Sequence, residues 1–264
     1  MARMPDGFID LTVTSPPYDN LRTYNGYSFD FESVAKELYR VTKQGGVCVW
    51  VVGDATINGS ETGTSFRQAL FFKECGFNLH DTMIYQKANI LPRDPRIPRY
   101  YQEFEYMFIF SKGKPKTCNH IREVCKHAGS NSVPYSRNTD GTFRLDRKVK
   151  NKNHIVKDTK VRGNVWKYAV ARNAHPAPFP EALAHDHIFS WSNVGDTVLD
   201  CFCGSGTTPK MAKLLNRHYI GIDTSAEYVA LTNERLAQLE RPNTASLDDS
   251  ADPGENRGAG EHDG

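Results

Sequence analysis

The segment between Val198 and Thr208 constrains the fold more strongly than any other part of the chain. It begins with an apolar run typical of a buried strand, passes through Gly204 and Gly206, and continues into a helical pattern. The two glycines permit a tight turn and let a ligand approach the backbone closely. The N–H groups at the start of the following helix are suited to a carboxylate or a phosphate. The segment therefore predicts an α/β protein with a binding loop, an ordinary tight connection being the alternative.

An acidic residue strengthens the prediction of a binding loop. Asp223 lies 19 residues after Gly204, at the end of the next predicted strand, where a carboxylate can accept hydrogen bonds from ribose hydroxyls. No Gly-Lys-Ser/Thr sequence follows the turn, as a phosphate-binding loop would require. Pro209 occupies the position of the third glycine of a dinucleotide fingerprint. The pattern therefore favours a nucleoside with a charged amino-acid end, such as S-adenosylmethionine.

Apolar runs with strand and helix periodicity alternate along most of the chain. Predicted strands cover 8–13, 47–52, 81–86, 106–110, 196–200 and 219–222, and predicted helices cover 31–43, 65–75, 178–187, 208–215 and 226–239. This alternation predicts a Rossmann-like α/β fold, with a mostly parallel central sheet covered by helices on both faces.

A second motif, Thr14-Ser15-Pro16-Pro17-Tyr18, follows the first predicted strand. The two prolines cannot donate backbone hydrogen bonds and hold the chain extended, so nearby carbonyls and the Ser15 hydroxyl can accept hydrogen bonds from a ligand. Tyr18 offers a flat face for stacking. An exocyclic amine of a base needs such a site, because two acceptors take its hydrogens and a ring holds the base plane. A plain proline turn at a strand end is the alternative.

Charge is distributed unevenly, although the formal net charge is only +2. Residues 112–172 contain 16 Lys/Arg and 4 Asp/Glu, whereas residues 241–264 contain 2 Lys/Arg and 6 Asp/Glu. We expect 112–165, where periodicity fades, to be a basic insert that contacts a phosphate backbone, a solvated loop being the alternative. Residues 241–264 are predicted to be a disordered acidic tail. The segments 1–111 and 166–240 are predicted to be the two halves of one domain.

The composition argues against several classes of protein. The sequence has no apolar stretch of about 18 residues, and its N-terminus lacks an apolar signal region. Cys48 and Cys75 lie inside apolar runs, which is typical of reduced thiols, and Cys201 and Cys203 are expected to pack rather than to form a redox pair. We therefore expect a cytoplasmic protein that does not contact a membrane.

Together, the two motifs resemble those of the amino-methylating DNA methyltransferases, the N4-cytosine/N6-adenine family. The motif at 14–18 precedes the one at 200–207, which is the order of the circularly permuted beta group of that family. Blocks at 105–112, 175–180 and 217–223 are similar to further family motifs. The basic stretch lies where the beta group carries its target-recognition region. The resemblance extends from residue 8 to about residue 239.

The resemblance implies an S-adenosylmethionine-dependent methyltransferase fold and methyl transfer to the amine of a base flipped out of double-stranded DNA. The implied catalytic residues are Ser15, Pro16, Pro17 and Tyr18. The implied cofactor-binding residues are Asp200, Phe202, Gly204, Ser205, Gly206, Thr207, Asp223, Phe179 and Pro180. Double-stranded DNA would bind through residues 112–172, and no metal is required. A homodimer and a cognate restriction endonuclease are also compatible with this family.

The residue at the start of the catalytic motif bears on which amine is methylated. Ser15 resembles the N4-cytosine enzymes, whereas N6-adenine relatives more often carry Asp or Asn there. N4 of cytosine is therefore the expected acceptor, and N6 of adenine is the first alternative. A DNA-binding protein with an inactive methyltransferase fold is the second. An RNA or protein methyltransferase, the third, would have no obvious need for the basic insert.

Weaker patterns have competing interpretations. A zinc site could be formed by Cys118, His120, Cys125 and His127. The one-residue gaps within each pair are shorter than the usual spacing of structural zinc ligands, which favours solvated loop residues.

Two further patterns lie after predicted strands. Asp54 could line the binding pocket or stabilise a simple turn. Arg93, Arg96 and Arg99 lie in a proline-rich stretch that could contact phosphates or form a solvated loop.

Overall fold

The computed structural model describes residues 1–17, 29–90, 94, 96–132, 135–145, 154–170 and 180–239. In chain order the elements are β1 (Ile9–Thr14), α1 (Phe31–Val41), β2 (Thr42–Val52), β3 (Thr56–Ile57), β4 (Ser60–Glu61), α2 (Thr64–Glu74), β5 (Asn78–Lys87), β6 (Phe104–Ser111), β7 (Arg122–Val124), β8 (Asn131–Ser132), β9 (Tyr135–Arg137), β10 (Phe143–Leu145), β11 (His154–Ile155), β12 (Thr159–Val161), β13 (Val165–Tyr168), α3 (Glu181–Trp191), β14 (Thr197–Asp200), α4 (Thr207–Leu214), β15 (His218–Gly221) and α5 (Ala226–Gln238). The predicted acidic tail, 241–264, lies outside the described residues.

The central sheet has seven strands in the order β13-β5-β6-β2-β1-β14-β15. Strand β6 is antiparallel to both of its neighbours, and the other four neighbouring pairs are parallel. The predicted mostly parallel sheet is therefore confirmed. All strands of this sheet except β6 end at one edge, which we call the carboxyl edge, and β6 begins there.

Helices cover both faces of the sheet, as predicted. Along the apolar run of β2, Val49 packs with α3 and α4 on one face, whereas its neighbour Trp50 packs with α1 and α2 on the other. A strand buried on both sides has no polar face to expose, which explains why its sequence is continuously apolar.

The start of β2 differs from the prediction. The helix predicted for 31–43 ends at Val41, and β2 begins directly at Thr42. The pairing of β1 with β2 then shifts register. Gly46 allows the chain to bulge there, because a Cβ at this position would lie 2.8 Å from Thr42 Cγ2. The glycine therefore serves the pairing of β1 with β2.

Helix α3 is also displaced from its predicted range of 178–187. It continues to Trp191 because Ile188 and Trp191 extend the buried face that begins at Leu183.

Among the described residues, no helix has the length and apolar character needed to cross a membrane.

The described parts of the basic insert form nested antiparallel pairs. Strand β7 pairs with β12, β8 with β11, and β9 with β10. Each pair encloses the next in sequence, whereas the sequence predicted only loss of periodicity here. The chain then returns as β13, which the sequence did not predict and which pairs in parallel with β5. Trp166 anchors β13 in the core.

Candidate cofactor and catalytic site

Strands β1 and β14 are neighbours in the sheet, between β2 and β15. The chain continues from β1 to β2 on one side and from β14 to β15 on the other. In open α/β sheets, ligands bind at the carboxyl edge where the connections diverge in this way. The motif at 14–18 follows β1, and residues 201–206, the glycine loop, follow β14. The two motifs, far apart in sequence, therefore meet at the position that favours a ligand.

Two hydrogen bonds join the end of β1 to the flanks of the glycine loop. Thr14 Oγ1 donates to Asp200 Oδ1 at 2.6 Å. Thr208 Oγ1, at the start of α4, donates to the carbonyl oxygen of Val13 at 3.2 Å. The three side chains involved are buried. The Ser-Pro-Pro segment consequently leaves β1 at a fixed position beside the glycine loop.

The Asp200 carboxylate lies beneath the loop and interacts with the protein itself. Besides Thr14, it accepts a hydrogen bond from the backbone N–H of Phe202 at 3.1 Å. Burial raises the pKa of Asp200 to about 6, although hydrogen bonds from Thr14 and Thr208 favour its ionised form. The side chain therefore fixes the shape of the loop at a cost in carboxylate solvation.

Helix α5 packs closely against the glycine loop. Thr232 Oγ1 donates to the carbonyl oxygen of Gly204 at 2.9 Å. Gly206 has a φ of 78°, and a Cβ there would lie 2.6 Å from Thr232 Cγ2. The left-handed backbone and the close approach of α5 both require glycine at this position.

The Asp223 carboxylate lies at the end of β15, next to the same loop. Its Oδ2 accepts from the backbone N–H of Gly204 and its Oδ1 from that of Ser225, each at 2.9 Å. A carboxylate has about four acceptor positions, so Asp223 can also accept hydrogen bonds from ribose hydroxyls. Together with the start of α4, which can hold a carboxylate, this arrangement fits S-adenosylmethionine.

A charged cluster joins α3, α4 and α5 beside the loop. Glu181 Oε1 accepts from Lys210 Nζ at 2.7 Å and also from Arg235. Arg235 Nη1 donates to the carbonyl oxygen of Ser205 at 2.9 Å. Burial alone would raise the pKa of Glu181, but the hydrogen bonds from Lys210 and Arg235 lower it. The cluster therefore connects Glu181, the residue after the block at 175–180, to the glycine loop.

The structure describes three of the four predicted catalytic residues. Ser15 and Pro17 are half-buried and Pro16 is buried, directly after β1. Tyr18 lies outside the described residues, as does the predicted cofactor residue Phe179.

The other predicted cofactor residues lie around the loop. Pro180 is buried and precedes α3, and Ser205 and Thr207 are buried on either side of Gly206. The Phe202 ring turns into the core, where it packs against Phe29 with ring centroids 5.1 Å apart.

The cysteines of the loop are buried free thiols. Burial raises the pKa of Cys203 to about 12 and raises the pKa of Cys201 well above its ordinary value. Both thiols therefore stay protonated near neutral pH, in agreement with a packing role.

The Asp54 carboxylate contacts the start of α2 rather than a turn of its own. Its Oδ1 accepts from the backbone N–H of Ser65 at 2.9 Å, and its Oδ2 accepts from Ser65 Oγ at 2.5 Å. The carboxylate thereby holds the start of α2.

The zinc pattern finds little support. Cys118 Sγ lies 3.4 Å from His120 Nε2. Within the described part of the chain, however, no group of three or more His, Cys, Asp or Glu side chains is arranged to hold a metal ion.

Sequence reasoning missed the residues of α5 and α3 that hold the loop. Thr232 and Arg235 are three residues apart and therefore share one face of α5. That spacing was visible in the sequence, but nothing in it indicates that this face meets the glycine loop. Glu181 was equally hidden, because its partners lie on two other helices.

Comparison with known proteins agrees with this geometry. The model of a DNA methylase family, N6/N4 methyltransferases, matches residues 9–234. The chain is 57% identical over 244 residues to the orphan methyltransferase M.BamHII of Bacillus amyloliquefaciens, covering 88% of this chain and 89% of the relative.

Solved structures share the fold. PvuII DNA methyltransferase (cytosine-N4-specific) matches with a TM-score of 0.67 and 22% identity, over 93% of this chain and 84% of that one. A DNA modification methylase of Thermus thermophilus, in complex with S-adenosyl-L-methionine, matches with a TM-score of 0.56 and 26% identity, over 90% of each chain. The chain therefore belongs to the N6/N4 DNA methylase family and is an S-adenosylmethionine-dependent DNA methyltransferase.

Proposed function

We propose that this enzyme methylates the N4 amine of cytosine in double-stranded DNA after flipping the base out of the duplex. The observation that carries the proposal is the position of Ser15, which follows β1 at the carboxyl edge beside the glycine loop. Serine at the start of this motif resembles the N4-cytosine enzymes. N6-methylation of adenine is the outcome that would replace this proposal.

The chemistry at the amine depends on alignment. Bound S-adenosylmethionine supplies a methyl group on a sulfonium, which is a good leaving group. The Ser15 hydroxyl and the Pro16 carbonyl would accept hydrogen bonds from the two N–H groups of the amine and so direct its lone pair toward the methyl group. As the N–CH3 bond forms, the S–CH3 bond breaks to leave a neutral thioether, and the nitrogen releases one proton to solvent. Tyr18 would stack on the flipped base. The bonds from Thr14 and Thr208 would maintain this alignment, because they fix the end of β1 against the loop.

The protonated thiols at the site support an amine rather than a ring carbon as the methyl acceptor. Methylation of a pyrimidine ring carbon needs a cysteine thiolate as nucleophile. Cys201 and Cys203, the thiols next to the proposed site, are held protonated by burial. Attack by the amine itself needs no such nucleophile.

The proposed DNA-binding surface is the basic region, 112–172. Its 16 Lys/Arg against 4 Asp/Glu would displace counterions from the phosphate backbone. The strand pairs between β7 and β12 are nested in sequence. We propose that they form one two-stranded ribbon, a shape that fits the major groove. We propose the ribbon as the target-recognition element between the catalytic half, 1–111, and the cofactor half, 166–240.

Incubation with labelled S-adenosylmethionine and unmethylated plasmid DNA, followed by mass spectrometry of the nucleosides, tests the proposal. N4-methylcytosine is the expected product, whereas N6-methyladenine would refute the choice of base. Ser15→Ala and Tyr18→Ala should lose methyl transfer but retain cofactor binding. Near-normal turnover by either variant would refute the proposed catalytic site.

Assembly is a separate part of the proposal. A homodimer and a cognate endonuclease stay predictions, and the description of M.BamHII as an orphan enzyme favours action without an endonuclease. Light scattering during size-exclusion chromatography measures the oligomeric state.

A further inference from the structure

The connection between β5 and β6 presents an unusual aromatic side chain at the carboxyl edge. Tyr100 is 100% exposed, and Ile97 beside it is 45% exposed. Strand β5 ends at this edge and β6 begins there, so the connection shares the edge with the Ser-Pro-Pro segment. Full exposure of a large ring costs hydration free energy that packing elsewhere would recover. The site already described leaves this exposure unexplained.

The segment that carries Tyr100 is held in place by a second loop. Arg99 donates to the carbonyl oxygen of Gly59, in the turn between β3 and β4, and its Nη1 lies 3.5 Å from Glu61 Oε1. The backbone N–H of Ile97 donates to the carbonyl oxygen of Asp94 at 3.1 Å. Tyr100 therefore projects from an anchored segment.

The spacing of the strands places the two ends of this connection near the catalytic motif, and Tyr100 lies four residues before β6 begins. Strands β6 and β5 lie two and three positions from β1 in the sheet. With about 4.8 Å between strands, the connection begins and ends about 10–15 Å from the end of β1. A flipped nucleotide rotates about its backbone, so its pocket and the position it vacates must lie side by side on one surface of the enzyme.

We propose that Tyr100 stacks within the DNA duplex at the position vacated by the flipped base. The proposal rests on the base-flipping reaction proposed above. An aromatic ring replaces the stacking that the neighbouring bases lose, whatever their identity. Apolar side chains inserted between bases are a known means of holding deformed DNA, and Ile97 would widen the wedge. Arg96, whose side chain is 88% exposed and pairs with Asp94 at 2.6 Å, would exchange that partner for an adjacent phosphate.

The test compares Tyr100→Ala with Tyr100→Phe, which keeps the ring and removes the hydroxyl. Val194→Ala is the matched control, because it removes a 71% exposed apolar side chain from the turn before β14, at the opposite edge. The methylated site is first mapped on plasmid DNA. Methyl incorporation is then measured on synthetic duplexes in which the target base is either paired or mismatched.

Tyr100→Ala should lower kcat/KM on the paired duplex by about 5- to 150-fold, as expected for the loss of one stacked ring. The loss should shrink on the mismatched duplex, whose target base flips at lower cost. Tyr100→Phe and Val194→Ala should stay near the wild type, and cofactor affinity should not change. An equal loss on both duplexes, or no loss on the paired one, would overturn the proposal. Incorporation is counted whichever base receives the methyl group, so an N6-adenine product would refute the proposed base without affecting this test.

Discussion

Replacement of Asp200 by asparagine should stabilise the protein near neutral pH, although Asp200 forms several hydrogen bonds. The side chain is buried, and burial raises its pKa to about 6. Asparagine keeps an oxygen that can accept from Thr14 Oγ1 and from the backbone N–H of Phe202. Its amide can donate to Thr208 Oγ1. The substitution thus removes the buried charge while it preserves the contacts.

The size of the stabilisation expected for Asp200→Asn follows from the pKa of Asp200. The unfolded chain releases the Asp200 proton near pH 3.8, whereas the folded protein holds it until about pH 6. The native state therefore binds more protons in this window, and wild-type stability falls as pH rises through it. At about 1.4 kcal/mol per pKa unit, the full difference amounts to about 3 kcal/mol. About half of it should develop between pH 5 and pH 7.

Urea unfolding of wild type and Asp200→Asn at several pH values between 5 and 8 measures this difference. The variant should gain free energy of unfolding relative to the wild type as pH rises to about 7, and the gain should then level off.

Asp10→Asn, at the other end of β1, is the matched control. Burial alone would raise the pKa of Asp10, but hydrogen bonds from Lys43 and from the backbone of Thr197 lower it overall. Its stabilising contribution is therefore complete above pH 3.8 and lost only as pH falls below that value. Asp10→Asn should be destabilised by a constant amount between pH 5 and 8. A parallel, pH-independent loss in Asp200→Asn would refute the reasoning.

Substitutions at three further positions test the packing around the loop and the core. Gly206→Ala should lower the free energy of unfolding by about 1–2 kcal/mol because of the left-handed backbone, and further because of the contact with Thr232. The variant should also bind S-adenosylmethionine more weakly in calorimetry, and an unchanged affinity would contradict the proposed loop. Arg235→Ala removes the hydrogen bonds to Glu181 and to the glycine loop, so the KM for S-adenosylmethionine should rise about tenfold while the KM for DNA stays constant. Arg235→Lys should reverse part of the rise in KM. Phe72→Ala leaves a cavity at a fully buried position and should lower the free energy of unfolding in urea by about 3–5 kcal/mol. A decrease below about 1 kcal/mol would mean that the core collapses around the cavity.

The sequence predicted most of the regular structure because the patterns involved are local. Strands with continuous apolar runs, such as 47–52, and helices with a repeating apolar face, such as 226–239, were placed within a few residues of their observed ends. The mistakes arose where a distant partner decides the structure. Strand β13 has only Trp166 buried among four residues, so its sequence carries little periodicity. Its pairing with β5 supplies the hydrogen bonds that make it a strand.

In the candidate site, too, local features could be predicted and long-range contacts could not. The serine, prolines and glycines of the two motifs were recognisable because each acts through its own backbone geometry or side-chain chemistry. The hydrogen bond between Asp200 and Thr14 could not be recognised in this way, because 186 residues separate the two. Tyr18 and Phe179 stay predictions, as do the roles of the other site residues.

By itself, the sequence determined the α/β class, the cofactor type and the kind of atom that receives the methyl group. Each of these depends on short motifs and their order along the chain: a Gly-X-Gly turn after a strand, an acid 19 residues later after the next strand, and Ser15 before two prolines. Only the tertiary structure decided that β1 and β14 are neighbours, that Arg235 holds the loop, and that Tyr100 shares an edge with Ser15. Those facts depend on which elements meet across long stretches of chain. Hydrophobic periodicity shows which residues are buried but not which element they are buried against.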